Sequence, residues 1–479
     1  MNRAVVARVV GLILGIEAVC MLPSFAIALV TRGADREAFA ISIVLCAVFS
    51  ILFSWIRPAG QRFQTRDGFV AVALCWIALG LFGALPYALC GFSYVDGVFE
   101  TVSGFTTTGA TIVAAPSALP RGLQFWRALT QWMGGMGVLV MVLALMPSLG
   151  EGSVNLMKAE SPGPISSKLL PKTSETAKSL YIIYIVLTLS ETIALRIAGM
   201  PLFDSLTTSF TTISTGGFSV RDASIAFYQS EAINWIIILF MFVSGVNFSV
   251  LFQVQRKRWK DALRSEELRW YAIITFSAVA LISTNLILKA GKGIYEGISQ
   301  SSFQVVTLMT TTGYATADFD VWPYTSKIIL ILLMFVGGCA GSTAGGIKVS
   351  RLVILWKGLK REVRRILHTR EVRALTLERE GVAEGTVSSV SVFFFAYIFI
   401  TLLCAGIVSL DEVDFTTAFT AALTTISNVG PGFSLIGPTC NFAFLSGLSK
   451  AALTLTMLLG RLEIMPLLVL LSPGVWSKK

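Results

Sequence analysis

Charge is scarce in this chain. Of its 479 residues only 14% are Asp, Glu, Lys or Arg, while 54% are hydrophobic. So little charge cannot cover an ordinary soluble surface, and the composition calls for lipid around it. Histidine is nearly absent: the single His368 lies in a basic loop and reads as a solvated side chain. The seven cysteines (Cys20, Cys46, Cys75, Cys90, Cys339, Cys404 and Cys440) sit mostly inside apolar runs. They show no CxxC or other metal spacing, which argues against a zinc site or a disulfide framework. No GxxxxGK[ST] occurs, which argues against ATP chemistry in this chain. His, Asp and Glu are scarce within the apolar runs, so a membrane enzyme acting on lipid or peptide lacks its acid–base cluster.

Long apolar runs are what the chain has instead. A membrane span needs roughly 20 apolar residues, and about ten such runs are found. The first, residues 5–30, is too long for the core of a signal peptide and has no convincing cleavage site, so it is read as a helix. The formal net charge is +10. The basic residues cluster in loops between apolar runs, which is the signature of cytoplasmic loops rather than of a nucleic-acid surface.

Four short Thr/Gly stretches organise the rest. They are FTTTGAT at 105–111, ISTGGFS at 213–219, MTTTGYA at 309–315 and ISNVGPGF at 426–433. Aligned on Gly109, Gly217, Gly313 and Gly430 they lie 108, 96 and 117 residues apart. Recurrence at this period is a fold-level signal. Glycine accepts positive φ, so successive carbonyls can be turned to one side. Rings of backbone carbonyls from four such loops replace a cation's hydration shell in potassium-selective filters. One loop alone reads as an ordinary turn between helices; four in equivalent places do not.

The expected fold is an all-α integral membrane protein. Two N-terminal helices (1–66) precede four parallel M1–pore-loop–M2 repeats in a pseudo-fourfold arrangement: 67–178, 179–265, 266–380 and 381–479. The junctions carry Arg57, Arg62 and Arg66; Lys158, Lys168, Lys172 and Lys178; the QRKRWK run at 255–260; and Lys357, Lys360, Arg361, Arg364, Arg365, Arg370 and Arg373. Cations near the glycine loops are few, such as Arg121, Arg221 and Lys327. The positive-inside rule then puts every junction in the cytoplasm and all four loops outside. This opposes an inverted-repeat carrier, whose halves point opposite ways.

The candidate ion ligands are backbone oxygens in three layers: Thr107, Thr215, Thr311 and Asn428; Thr108, Gly216, Thr312 and Val429; and Gly109, Gly217, Gly313 and Gly430. Non-helical backbone at membrane depth is tolerable where protein buries it or water faces it. Short helices ahead of the loops would aim their partially negative ends at the cation. Asp96, Asp204 and Asp414 precede those helices and read as N-caps, with a negative outer mouth as a secondary effect. Residues 337–346, GGCAGSTAGG, hold five glycines: Gly337, Gly338, Gly341, Gly345 and Gly346. They read either as a small-residue packing face or as an unwound loop beneath the filter that blocks the path. Arg461 falls inside the last apolar run, where an arginine costs about 2.5–3.5 kcal/mol and so faces protein or water. It pairs with a carboxylate on another helix, snorkels, or stands in the path as a barrier to cations; these roles are compatible. The basic stretch 357–379 faces lipid head groups or docks a cytoplasmic partner.

Taken together, the four loops, GGCAGSTAGGIK and LGRLEI resemble the Trk/Ktr/HKT superfamily of potassium transporters. The two extra helices with STGGFS and NVGPGF are most similar to its TrkH-type membrane subunit. The resemblance implies potassium uptake across a bacterial inner membrane, with potassium as cargo and no organic cofactor. It implies a homodimer in membrane lipid, one pore per chain, and a cytoplasmic nucleotide-binding regulatory subunit of the TrkA type; no nucleic acid is involved. It gives the broken helix of the third repeat and Arg461 the role of gate. A sodium-coupled Ktr-like transporter is the alternative, against which the two extra helices argue.

Overall fold

The computed structural model describes residues 3–56, 65–137, 173–368, 374–378 and 380–473. Arg57, Arg62, Lys158, Lys168, Lys172, Arg370, Arg373 and the far part of the span expected at 125–146 lie outside the described residues.

Two long apolar helices come first, α1 (Arg3–Val30) and α2 (Arg36–Ser54), packed side by side. A four-fold recurrence of helix, short helix, glycine loop and second helix follows. The first comprises α3 (Thr65–Gly83) with α4 (Leu85–Leu89), the short α5 (Tyr94–Phe105) and α6 (Arg121–Gly135). The second has α7 (Thr173–Ile197), the short α8 (Leu202–Ile213), α9 (Glu231–Ser244) and α10 (Phe248–Gln255), with α11 (Trp259–Leu263) in the junction. The third has α12 (Glu266–Ala290), α13 (Ile294–Met309), α14 (Tyr324–Val336) and α15 (Val349–Leu367). The fourth has α16 (Glu384–Val408), α17 (Phe415–Ser427), α18 (Gly447–Arg461) and α19 (Met465–Leu471). The strands among the described residues are two-residue pieces, β1 (Thr376–Leu377) and β2 (Glu380–Gly381), paired antiparallel.

Packing closes these units into a ring. Each short helix packs between the two helices of its own unit. Each second helix also packs on the next short helix: α6 on α8, α9 on α13, α14 on α17, and α18 back on α5. That cycle requires the four units to run in the same sense around one axis.

Threonine is a mediocre helix former because its hydroxyl competes for backbone partners. The short helices nonetheless carry threonine in the last turn or at the C-cap, and the hydroxyls are satisfied locally. Thr106, Thr211, Thr310 and Thr425 each donate to the carbonyl four residues earlier, at 2.7, 3.0, 2.7 and 2.8 Å. Such back-bonding lets a polar helix end lie buried.

Six described helices are long and apolar enough to cross a membrane, and two bent pairs raise the number to eight. Among the described residues, the second helices of the second, third and fourth units are broken, which is why fewer than about ten runs appear there as single spans. α9 and α10 meet at 101°, and α18 and α19 at 120°. The breaks follow Gly245 and Leu462, so the interruption read only at 337–346 recurs in the second and fourth units. α9, α14 and α18, which precede these breaks, have 14, 13 and 15 residues, and α6 has 15.

The carboxylates expected as N-caps divide. Asp414 caps α17, its side chain accepting from Thr417 N at 3.1 Å. Ser93, not Asp96, caps α5, and Asp96 lies in the first turn bonded to Lys450 at 2.7 Å. Pro201 opens α8, and Asp204 pairs with Arg221 at 2.8 Å and accepts from Tyr228 at 2.8 Å. A residue three places further in reads alike in sequence, but the helix starts where serine or proline sets it.

Candidate functional site

The four glycine loops share one backbone. Thr107, Thr215, Thr311 and Asn428 have φ of 55°, 55°, 57° and 55°. Two residues on, Gly109, Gly217, Gly313 and Gly430 have φ of 79°, 77°, 84° and 104°. The amides fold back on the short helix. Thr107 N donates to Gly104 O and Thr108 N to Ser103 O, both at 2.9 Å. The same pair recurs at Thr215 and Gly216, at Thr311 and Thr312, and at Asn428 and Val429, between 2.8 and 3.3 Å. In a trans peptide the carbonyl points opposite to the amide. The oxygens of Thr106 and Thr107, and their counterparts, therefore face away from the helix.

These loops meet one another. A Cβ built on Gly109 would overlap the carbonyl oxygen of Gly216, and one on Gly217 that of Thr312. One on Gly313 would overlap Val429 O, and one on Gly430 would lie 2.7 Å from Thr108 O. The sequence of contacts, first to second to third to fourth to first, closes a circle. Eight of the twelve residues expected as ligands make these contacts; Thr107, Thr215, Thr311 and Asn428 directly precede Thr108, Gly216, Thr312 and Val429, and most of the twelve are buried.

The ring is braced from behind by residues the sequence reading missed. Glu100, inside α5, is fully buried and accepts from Arg127 Nε at 2.8 Å, Thr111 Oγ1 at 2.9 Å and Ile112 N at 2.9 Å. Arg127 also donates to Ser219 O at 3.1 Å and stacks 4.1 Å over the Phe218 ring, joining the first loop to the second. Gln131 donates to Gly216 O at 2.6 Å and accepts from Phe218 N at 3.0 Å. A carbonyl has two acceptor positions, so Gly216 O keeps one. The signal for these residues was a carboxylate, a guanidinium and an amide within apolar context. The scarcity of acids inside the apolar runs is real, yet Glu17, Glu100, Glu191 and Glu267 are all buried.

Beneath the ring lie the helix breaks. Cβ atoms at Gly135, Gly245 and Gly345 would press on Ser214, Thr310 and Ser427, each at the end of the next short helix. Residues 337–348 leave the helix and return: Ile347 N bonds Phe335 O at 3.1 Å and Lys348 N bonds Val336 O at 3.0 Å. Of the two readings of this stretch, the unwound loop is what the backbone adopts. Gly345 N donates to Thr311 Oγ1 at 2.7 Å, tying the loop to the third glycine loop. Thr343 Oγ1 reaches Ile213 O at 3.1 Å and Ser244 O at 3.2 Å.

Arg461 spans this level. It donates to Gly134 O at 2.5 Å, Gly135 O at 2.6 Å, Thr343 O at 3.0 Å and Thr107 Oγ1 at 3.4 Å. It thus binds α6, the intramembrane loop and the first glycine loop together. Glu463 faces elsewhere and pairs with the buried Arg351. At the outer surface Asp222 accepts from Ser117 Oγ at 2.6 Å and Ser117 N at 3.0 Å. Those two bonds hold its carboxyl below the usual carboxylate range. No group of three or more His, Cys, Asp or Glu able to hold a metal is found among the described residues.

The family described as TrkH, cation transport protein, matches residues 35–478. The chain belongs to the TrkH family. The Trk system potassium uptake proteins TrkH of Halomonas elongata and Escherichia coli K12 are 37% and 36% identical over the whole of both chains. The crystal structure of the potassium transporter TrkH from Vibrio parahaemolyticus superposes with a TM-score of 0.89, at 33% identity and full coverage of both chains. TrkH proteins are multi-pass bacterial membrane transporters, not enzymes. The similarity to the TrkH crystal structure extends over the two N-terminal helices as well as the four units.

Proposed function

We propose that this chain takes up potassium across a bacterial inner membrane through the ring of glycine loops. The units 67–178, 179–265, 266–380 and 381–479 then form four quarters of one path. The backbone oxygens of Thr107, Thr215, Thr311 and Asn428, of Thr108, Gly216, Thr312 and Val429, and of Gly109, Gly217, Gly313 and Gly430 replace the ion's water in successive layers. The observation that carries this reading is the closed circle of glycine-to-carbonyl contacts. Four loops with amides spent on their own helices have only oxygens left to offer.

Residues 337–346, with Gly337, Gly338, Gly341, Gly345 and Gly346, act with Arg461 as the gate. The loop sits across the ends of the short helices, and the guanidinium places a positive charge beside Thr107 that repels a cation leaving the ring. One hydrogen bond joins Arg461 to Thr343 of the loop, and two more tie it to Gly134 and Gly135 at the end of α6, so the arginine clamps the loop to the first unit. The protein works as a homodimer with one path per chain. A TrkA-type nucleotide-binding subunit docks on the basic cytoplasmic face, where Lys357, Lys360, Arg361, Arg364 and Arg365 line a common cleft.

The test is rubidium uptake into liposomes holding the purified chain, with and without competing sodium. Rubidium should enter, and equimolar sodium should compete poorly. Rubidium excluded, or admitted no better than sodium, removes the assignment.

A further inference from the structure

Both limbs of the intramembrane loop end on one carboxylate. Glu267 lies in the first turn of α12 and is only 6% exposed. Its Oε1 accepts from Ala340 N, on the descending limb, at 2.7 Å. The same oxygen accepts from Ser350 N, where α15 begins, at 3.1 Å. Hydrogen bonds to an ionised acceptor are stronger than neutral ones, and two donors on one oxygen fix the separation between them. Between these points the loop is also moored to the break in the second unit: Cys339 N bonds Gly245 O at 2.9 Å and Phe248 N bonds Gly341 O at 3.0 Å. Those are neutral backbone bonds; Glu267 supplies the charged clasp.

A second carboxylate holds the first. Glu378, in the turn between β1 and β2, accepts from Ser265 Oγ at 2.8 Å and from Glu267 N at 3.0 Å through its Oε1. The hairpin is seated by Leu375 and Leu377, both buried, and by Lys357, which bonds Thr376 O at 2.8 Å and Glu266 at 2.6 Å. The chain of contacts therefore runs from a cytoplasmic hairpin, through the first turn of α12, to both limbs of the loop.

The geometry points to Glu267 as the positioning residue that latches the intramembrane loop shut, with Glu378 linking that latch to the cytoplasmic hairpin. The inference rests on the reading that the loop obstructs the path, and goes beyond it by naming what holds the loop and where it can be released. A partner that displaces the hairpin withdraws Glu378 from Glu267 N and loosens the α12 turn. Two discrete arrangements of one element, biased from a distant surface, are the physical requirement for such coupling.

The loop carries its own reporter. Cys339 is 1% exposed, next to Ala340. The experiment uses the full chain in liposomes with the other six cysteines replaced by alanine or serine. Two rates are read: modification of Cys339 by a charged methanethiosulfonate, and rubidium influx. For Glu267→Ala, both rates should rise about tenfold or more, the scale set by losing two charge-assisted bonds. The preference for rubidium over sodium should not change, since the ring is untouched. Glu267→Gln retains an acceptor oxygen and should recover much of the closed behaviour. Glu378→Ala should raise both rates less, about threefold, and add nothing to Glu267→Ala in the double variant, because the two act in series. Cys339 staying protected in Glu267→Ala, while Arg461→Ala raises influx, overturns the latch and leaves the gate standing. Cys339 becoming reactive with influx unchanged shows instead that the loop moves without obstructing the path, which removes the gate reading. Should Glu267→Ala fail to fold, Glu378→Ala carries the same two readouts, and both rates unchanged in it overturn the latch.

Discussion

Glycine at 109, 217, 313 and 430 is required twice over. Positive φ costs an L-residue about 1–2 kcal/mol, and the added Cβ would also run into a carbonyl of the neighbouring loop. The overlap decides, because strain is local while a displaced carbonyl alters the ring itself. Gly217→Ala is therefore expected to lower rubidium influx about tenfold or more and to weaken discrimination against sodium, since a ligand shift of this kind costs over 1.4 kcal/mol. Liposome flux with paired ions checks it; normal flux with normal selectivity contradicts it. Glu100 and Arg127 make a different residue-scale claim. Removing one partner of a buried pair leaves the other charge stranded and costs roughly 3–5 kcal/mol. Glu100→Ala should thus lower the thermal midpoint of the detergent-solubilised chain markedly. Replacing Glu100 and Arg127 together with apolar residues of similar volume should recover much of the loss. A double replacement less stable than either single one contradicts the account.

At the scale of elements, the short helices and the glycine loops were legible in the sequence, and the breaks below them mostly were not. The loops announce themselves because glycine and threonine in a fixed order are rare within apolar chain. Residues 337–346 were legible for the same reason, with five glycines together. Around Asn247 and Glu463 the apolar pattern runs on almost unbroken, yet the chain turns by 101° and 120°. Those turns are set by packing: Gly245 meets Tyr271 and Thr310, and Gly460 meets Ile426 and Asn428, partners far away in sequence. Arg461 was legible as an oddity, but its bonds to the carbonyls freed at the end of α6 were not, since backbone acceptors leave no pattern in a sequence. Arg461→Ala also removes its bond to Thr343 O, which clamps the loop to α6, and is expected to increase influx at equal expression. Unchanged or lower influx counts against an arginine barrier.

For the molecule as a whole, the ring of packed units would let one chain supply the whole of the proposed path. Each second helix leans on the next short helix, so no quarter is complete alone. The two N-terminal helices stand outside this ring, with α1 packed on α3 and α6. Assembly beyond the single chain is a separate claim: native mass spectrometry in mild detergent should give twice the mass of one chain, and a monomer alone contradicts the dimer. The cytoplasmic face makes its own prediction. Arg364→Glu with Arg365→Glu should weaken capture of a nucleotide-binding regulatory subunit about tenfold or more, with the loss largest at low salt. Equal capture places the docking surface elsewhere.

The central claim is that a monovalent cation sheds its water inside the circle made by Thr108, Gly216, Thr312 and Val429 and their neighbours. The most direct measurement is anomalous scattering from crystals of the chain soaked in thallium or rubidium. The account predicts density on the axis of the circle, within ligand distance of carbonyls from all four loops, and its displacement by potassium but not by equal sodium. Density confined to side-chain carboxylates at the outer surface, with the circle empty, would contradict it.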